Sequence, residues 1–303
     1  VAALVALDFA QARRRARALG GDLNRARAQR VLIAGCGELG IAIAPLLGDA
    51  QVFGLRRDVS RLPASVRPVA ADLLSGGGFA HLPAGIDTLI HAPTPGERSE
   101  SGYRAIYVDA LARLQAALPE PASDLRLIYV SSTAVYGQDA GEIVDEASAC
   151  EPTAFNGRVL LEGERRARER VNDCVALRLS GIYGPGRHWL LRRVRSGETI
   201  RAGVHWTNRI HLSDAAALAA RLAQLPQVPA SVIGVDDQPA PEHEVLDWLA
   251  GRLGLPPLPR RDDAPAVSGK RLCNHLSRSL QWRPRYASYR DGYTSVIAGS
   301  EPQ

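Results

Sequence analysis

Val31-Leu-Ile-Ala-Gly-Cys-Gly-Glu-Leu-Gly40 places Gly35-x-Gly37-x-x-Gly40 between a short apolar run and the start of a helical pattern. Gly35 permits a tight turn, Gly37 lets backbone amides approach a pyrophosphate, and Gly40 lets the helix pack closely on the sheet. A helix beginning there also points amides and a positive dipole end at an anion. The candidate pyrophosphate contacts are therefore Gly35, Cys36, Gly37, Glu38, Leu39 and Gly40. The motif alone is a weak signal, but at the first strand–helix junction of a long alternating series it indicates a dinucleotide-binding fold.

The series is present. Apolar runs at 31–34, 51–55, 66–70, 88–91, 126–130, 174–179 and 231–235 read as strands. They lack polar alternation, as strands buried on both faces do. Helical patterns at 38–48, 101–118, 155–171, 213–225 and 241–254 lie between and after them. The expected fold is α/β, a doubly wound Rossmann-type parallel sheet with a small C-terminal substrate-side lobe. Residues 30–180 and 212–235 would form the NAD(P)-binding core. The Pro-, Trp- and Arg-richer segments 181–211 and 236–303 would form the lobe. Residues 1–29 read as an N-terminal extension, helical or disordered.

The 303 residues are 46% hydrophobic, enough to bury a full core. The net charge of +5 comes almost entirely from arginine, and outside Arg13–Arg17 the arginines are interspersed with acids. That distribution does not make a nucleic-acid surface, and a phosphate-bearing small molecule accounts for it. Four scattered cysteines without Cys-x-x-Cys spacing suggest neither a disulfide framework nor a metal site, which suits a cytoplasmic location. No apolar run approaches membrane-spanning length. Residues 1–7 are apolar, but positive charge follows them rather than precedes them, so a secretory signal is not expected.

The second strand ends Phe53-Gly-Leu-Arg-Arg57. An acid there would accept hydrogen bonds from the ribose of NAD, whereas Arg56 and Arg57 can pair with a 2′-phosphate through their planar guanidinium forks. NADP(H) is thus the preferred cofactor, with NAD(H) the alternative.

Tyr129-Val-Ser-Ser-Thr-Ala-Val-Tyr-Gly137 resembles the active-site strand of the extended short-chain dehydrogenase/reductases of the epimerase/dehydratase type. Arg178-Leu-Ser-Gly-Ile-Tyr-Gly-Pro-Gly-Arg187 and Asn208-Arg-Ile-His-Leu-Ser-Asp214 resemble two later family segments, and the likeness runs in order from about residue 30 to 300. It implies that Ser132 polarises a substrate oxygen while Ser131 supports the loop. Asp72 and Leu73 would line the adenine, and His91, Ala92 and Pro93 would lie beside the nicotinamide ribose. Arg187 and Arg209 are candidates for holding an anionic small-molecule substrate. Family members often dimerise through the helices matching 101–118 and 155–171, which implies a homodimer here, with Val159, Leu160 and Leu161 as its apolar patch.

The departures from the family matter more than the matches. Asn156-Gly-Arg-Val-Leu-Leu-Glu-Gly-Glu164 aligns with the segment carrying the family's Tyr-x-x-x-Lys pair, so Asn156 replaces the tyrosine and Leu160 the lysine. Asparagine cannot exchange a proton near neutral pH, and leucine supplies no charge. Tyr107 also stands where the family has asparagine. The resemblance then implies an oxidoreductase with a reassigned acid/base, for which Tyr136, Tyr107 and Tyr183 are candidates and Tyr136 the first choice. The alternatives are a non-catalytic NADP-binding sensor or scaffold and, third, a nucleotide-sugar epimerase or dehydratase.

Overall fold

The computed structural model describes residues 29–119, 125–262 and 265–299, so all of the expected extension but Gln29, its arginine cluster included, lies outside the described residues. Seven strands form the main sheet: β1 (Arg30–Ala34), β2 (Gln51–Arg56), β3 (Arg67–Ala70), β4 (Thr88–His91), β5 (Arg126–Ser132), β6 (Asp173–Leu179) and β7 (Ser231–Gly234). All adjacent pairs are parallel. The order across the sheet is β3-β2-β1-β4-β5-β6-β7. Connections therefore reverse direction between β1 and β4, and at such a switch point a crevice opens at the carboxyl ends of the strands. The order also confirms the Rossmann-type architecture read from the strand–helix alternation.

Side chains of β1 show how the sheet divides the core. Val31 and Ile33 join one apolar cluster, and Leu32 and Ala34 join the other, all fully buried. Each such leucine or isoleucine contributes about 1.5–3 kcal/mol by leaving water, so the alternation pins the register of the strand. A third cluster, built on Leu191, Val194, Val245, Leu249 and Tyr293, fills the lobe. Around it lies a small sheet in which Val204–Thr207 pairs with Ala240–Pro241 and Val267–Gly269.

Helix boundaries depart from the expected ones for local reasons. The first helix ends at Ile43 and tightens into a 3-10 turn over Ala44–Leu47, because Pro45 lacks the N–H an α-helix needs there. The helix expected at 101–118 is three pieces: α-helix at Glu100–Arg104, a π-helical turn at Ala105–Asp109, and α-helix at Ala110–Ala117. Such π turns recur at functional sites, and this one carries Tyr107. Helix Phe155–Arg170 packs against β5. Of the expected patch Val159, Leu160 and Leu161, the first two are 2% and 3% exposed and serve the protein's own core, while Leu161 is half-buried.

A buried ionic group ties this helix to the sheet. The Glu164 carboxylate accepts from Arg178 Nε at 3.1 Å, Arg178 Nη2 at 2.8 Å and Ser131 Oγ at 2.7 Å. Arg178 Nη1 donates to Tyr136 Oη at 2.7 Å. Satisfying nearly every polar atom in this way is the condition under which buried charges are tolerated. At the other end of the loop after β5, Lys270 Nζ donates to the carbonyls of Tyr136 at 2.6 Å and Gln138 at 3.3 Å.

Candidate active site

The glycine loop closes the crevice between β1 and β4. Gly35 has φ +79°, and a Cβ there would sit 2.4 Å from Pro93 Cα, so no other residue fits. At Gly37 a Cβ would meet only the Gly35 carbonyl oxygen, at 3.9 Å. Gly37 thus borders open space, the room a pyrophosphate needs to reach the backbone. The Arg56 guanidinium lies against the same loop, Nη1 donating to the Cys36 carbonyl at 3.2 Å, and Arg57 beside it is exposed. The residues present therefore fit a dinucleotide.

From this loop a cleft of about 320 Å³ extends over β4 and β5. Gly35, Gly37, Glu38, Leu39, Ala92 and Pro93 form one wall, the glycine-loop side. Ser131, Ser132, Asn156, Leu160, Tyr103 and Tyr107 form the opposite one. Ser132 Oγ accepts from the Ala134 N–H at 3.2 Å, which leaves its own proton free to donate to a substrate oxygen. Ser131 Oγ is spent on Glu164. Asn156 and the Tyr107 hydroxyl have no hydrogen-bond partner among the described residues. Tyr107 packs beside Tyr103, ring centroids 5.4 Å apart, and Tyr103 meets Phe155 edge-on at 5.5 Å. Burial pushes the Tyr107 phenol up to about 12.

Several expected site residues sit elsewhere. Tyr136 is 2% exposed and committed to Arg178, so its hydroxyl does not reach the cleft. Tyr183 faces the lobe, its hydroxyl donating to the Ser288 carbonyl at 3.4 Å. His91 is fully buried, stacks on Tyr129 at 5.7 Å and uses Nε2 on the Ile106 carbonyl at 3.2 Å. Burial pulls its pKa down to about 4, and it forms core rather than cleft wall. Asp72 makes a local turn, accepting from the Leu74 amide and Ser75 hydroxyl at 3.0 Å each, while Leu73 is core. Cys36 and Gly40 are buried beneath the loop, and burial pushes the Cys36 thiol up to about 11, so only the Cys36 backbone is offered to a ligand. Arg187 lines the cleft but spans to Glu38, Nε to carboxylate 2.9 Å, joining lobe to glycine loop. Sequence reasoning missed Arg98, Tyr103 and Ser180, which also line the cleft. Ser180 lies inside a segment that resembles the family, and Tyr103 begins the segment that carries Tyr107, so both had a signal; nothing in the pattern set Arg98 apart.

A larger cavity of about 680 Å³ opens alongside, sharing Arg98, Ile182 and Arg187 with the cleft and continuing into the lobe past Tyr183, Arg209 and Tyr293. Cleft plus side cavity, set at the switch point of the sheet, is the geometry of a two-component site.

A solved structure from Methylobacillus flagellatus, provisionally assigned as an NAD-dependent epimerase/dehydratase, is 33% identical with TM-score 0.76, covering 90% of this chain and 99% of that one. The chain belongs to this family, the epimerase/dehydratase type of the short-chain dehydrogenase/reductases. Residues 91–208 also match the model of the RmlD substrate binding domain. The protein YeeZ of Escherichia coli is 34% identical over 164 residues, 52% of this chain and 58% of YeeZ. The 3-diazoavenalumate denitrifying reductase of a Streptomyces species is 28% identical over 308 residues, 87% of this chain and 98% of that protein. Among the described residues no helix is long and apolar enough to cross a membrane.

Proposed function

We propose that the protein is an NAD(P)(H)-dependent reductase of a small molecule, in which Tyr107 replaces the family's tyrosine as proton donor. One observation carries the reading: Tyr107 and Ser132, each with a proton to give, line the same cleft as the glycine loop, where Asn156 and Leu160 have none. Gly35 and Gly37 would hold the pyrophosphate, with Arg56 and Arg57 near a 2′-phosphate. A reduced nicotinamide supplies a hydride when bound. Ser132 donates a hydrogen bond to the substrate atom that gains negative charge, and Tyr107 delivers a proton to it.

The direction follows from the phenol's environment. Burial raises the Tyr107 pKa, and Leu160 places no cation beside it, so the phenol stays protonated near neutral pH. A standing acid suits reduction. An epimerase or dehydratase also needs a group that accepts a proton back, which this wall lacks. The Streptomyces relative, named as a reductase, supports the same direction.

The test is calorimetric titration with NADPH and NADH, then cofactor oxidation against a panel of carbonyl, imine and diazo compounds. Binding followed by turnover is expected, and Tyr107→Phe should slow the chemical step about 100-fold, the lower range for losing a general acid. Absence of binding by either cofactor overturns the proposal. Binding without turnover across the panel favours the sensor alternative, which the missing proton at Asn156 also suits.

A further inference from the structure

The lobe cavity presents an imidazole that the proposed chemistry does not use. His205 is half-buried and lines this cavity without reaching the cleft. It sits on strand Val204–Thr207 in register with Ser268 of the neighbouring strand Val267–Gly269, so the two side chains share one face of the small sheet. Other polar groups of the wall are committed. Asn208 donates to the Lys270 carbonyl and accepts from the Leu272 amide, and Thr207 Oγ1 donates to the Ala240 carbonyl. Glu242 is engaged by Arg193 at 2.7 Å, and Arg187 by Glu38 at 2.9 Å. Arg209, expected to hold a substrate, is 5% exposed and has the buried Asp236 carboxyl as its charge partner, so it belongs to the fold.

Ser268 fixes the state of this ring. Ser268 is 3% exposed, and its Oγ lies 2.9 Å from His205 Nδ1 and 3.4 Å from Arg201 Nη1. A guanidinium only donates. Arg201 therefore fills a lone pair of the hydroxyl, and the hydroxyl's own proton goes to Nδ1, the acceptor within its reach among the described residues. In a neutral imidazole an accepting Nδ1 leaves the proton on Nε2. Burial, and then the Arg201 charge, hold the ring's pKa below its ordinary value, so it is neutral near neutral pH. Nε2 has no partner among the described residues. With Nδ1 turned to a buried neighbour, the Nε2 edge is the one left to the cavity. The fold thus holds an uncharged donor of fixed direction at the wall.

We infer that His205 is a substrate-recognition residue, its Nε2–H donating to an acceptor-only oxygen, that of a ketone, ester or amide, on the part of the substrate that enters the lobe. A group that must also donate is matched less well, because Asn208 and Glu242 already accept from the protein. Ile182, Leu190 and Val245 on the same wall would cover an apolar remainder. The recognised oxygen is not the one that reacts, since Ser132 and Tyr107 line the cleft and His205 does not. The inference rests on the proposed reductase only in taking the cavity as the substrate side of the cleft.

The tautomer is read first, by long-range proton–nitrogen NMR of the full chain carrying isotope-labelled histidine. The His205 signals, identified by their loss in His205→Phe, should show a bare Nδ1 and a protonated Nε2 near neutral pH, and Ser268→Ala should remove that bias. The chain is then titrated with N,N-dimethylbenzamide, whose oxygen only accepts and which a nicotinamide does not reduce, and with cumene, which lacks the oxygen. The amide should shift His205 Nε2 and bind several-fold more tightly than cumene, the margin of one neutral hydrogen bond. His205→Phe should erase that margin. Should this variant not fold, Ser268→Ala frees the tautomer and should shrink the margin instead. A proton on Nδ1, an imidazolium near neutral pH, no shift of His205 at millimolar amide, or a margin that survives in a folded His205→Phe overturns the inference. NADPH binding, titrated in parallel, without a response at His205 removes this inference and leaves the reductase standing. A response at His205 without NADPH binding does the reverse.

Discussion

The two walls of the cleft do their work with different parts of the chain. The glycine loop acts through its backbone: Gly35 is held by a left-handed φ and by Pro93, and Gly37 by the space it leaves open. The facing wall acts through side chains on a scaffold, β5 and helix Phe155–Arg170, that is indifferent to which side chain it displays there. A backbone-executed function constrains residue identity tightly. A side-chain-executed function can lose Tyr and Lys, fill their positions with Asn156 and Leu160, and keep the fold. Leu160 even improves the scaffold, since it joins the core at a position where a lysine would be half committed to solvent.

If that contrast is right, perturbing the scaffold behind the reaction wall should have the largest effect. Glu164→Ala leaves Arg178 buried without its partner and should cost about 3–5 kcal/mol, read as a shift in the urea midpoint at unchanged slope. A loss below 1 kcal/mol would mean that the wall is not braced as the structure shows. Next comes the loop: Gly35→Ala adds a Cβ against Pro93 in a left-handed conformation, for a loss of about 2–3 kcal/mol. NADPH binding should fall with it, and near-normal stability and affinity together would break the backbone half of the comparison.

Smaller effects sharpen the side-chain half. NADPH is expected to bind about tenfold tighter than NADH, about 1.4 kcal/mol, and Arg57→Asp should erase the difference in paired titrations. An unchanged preference would remove Arg57 from the site. Smallest of all is Asn156→Ala, expected to change turnover less than about twofold because the amide has no proton to transfer. Abolished turnover with cofactor binding intact would make Asn156 a working part of the reaction.

The same contrast explains what was legible in the sequence. Strand–helix alternation and buried runs such as Val31–Ala34 carry the sheet, because burial on both faces excludes polar residues along the whole run. Gly35 was legible because its left-handed φ and Pro93 exclude any side chain, and Gly37 because a Cβ there would take up the open space beside the loop. Tyr136 and His91 misled because apolar-strand context does not reveal whether a polar ring turns to the cleft or to the core; Arg178 and Ile106, distant in sequence, decide it. Val159 and Leu160 read equally well as interface or interior, and only the sheet beneath them distinguishes the two. Tyr107 was named but not preferred, since the π turn that presents it has no pattern in one-dimensional spacing.

Lys270 is the one lysine in the sequence. Half-buried, with its amine held by the carbonyls of Tyr136 and Gln138, it clasps the loop that follows the serine-bearing strand. Burial lowers its pKa and the two carbonyls occupy the amine, so it meets a reagent in solution only when the clasp opens. The chain therefore carries a built-in reporter. Acylation of this single side-chain amine by a reagent such as an activated ester, followed by mass spectrometry, would time the opening of that loop without any engineered label.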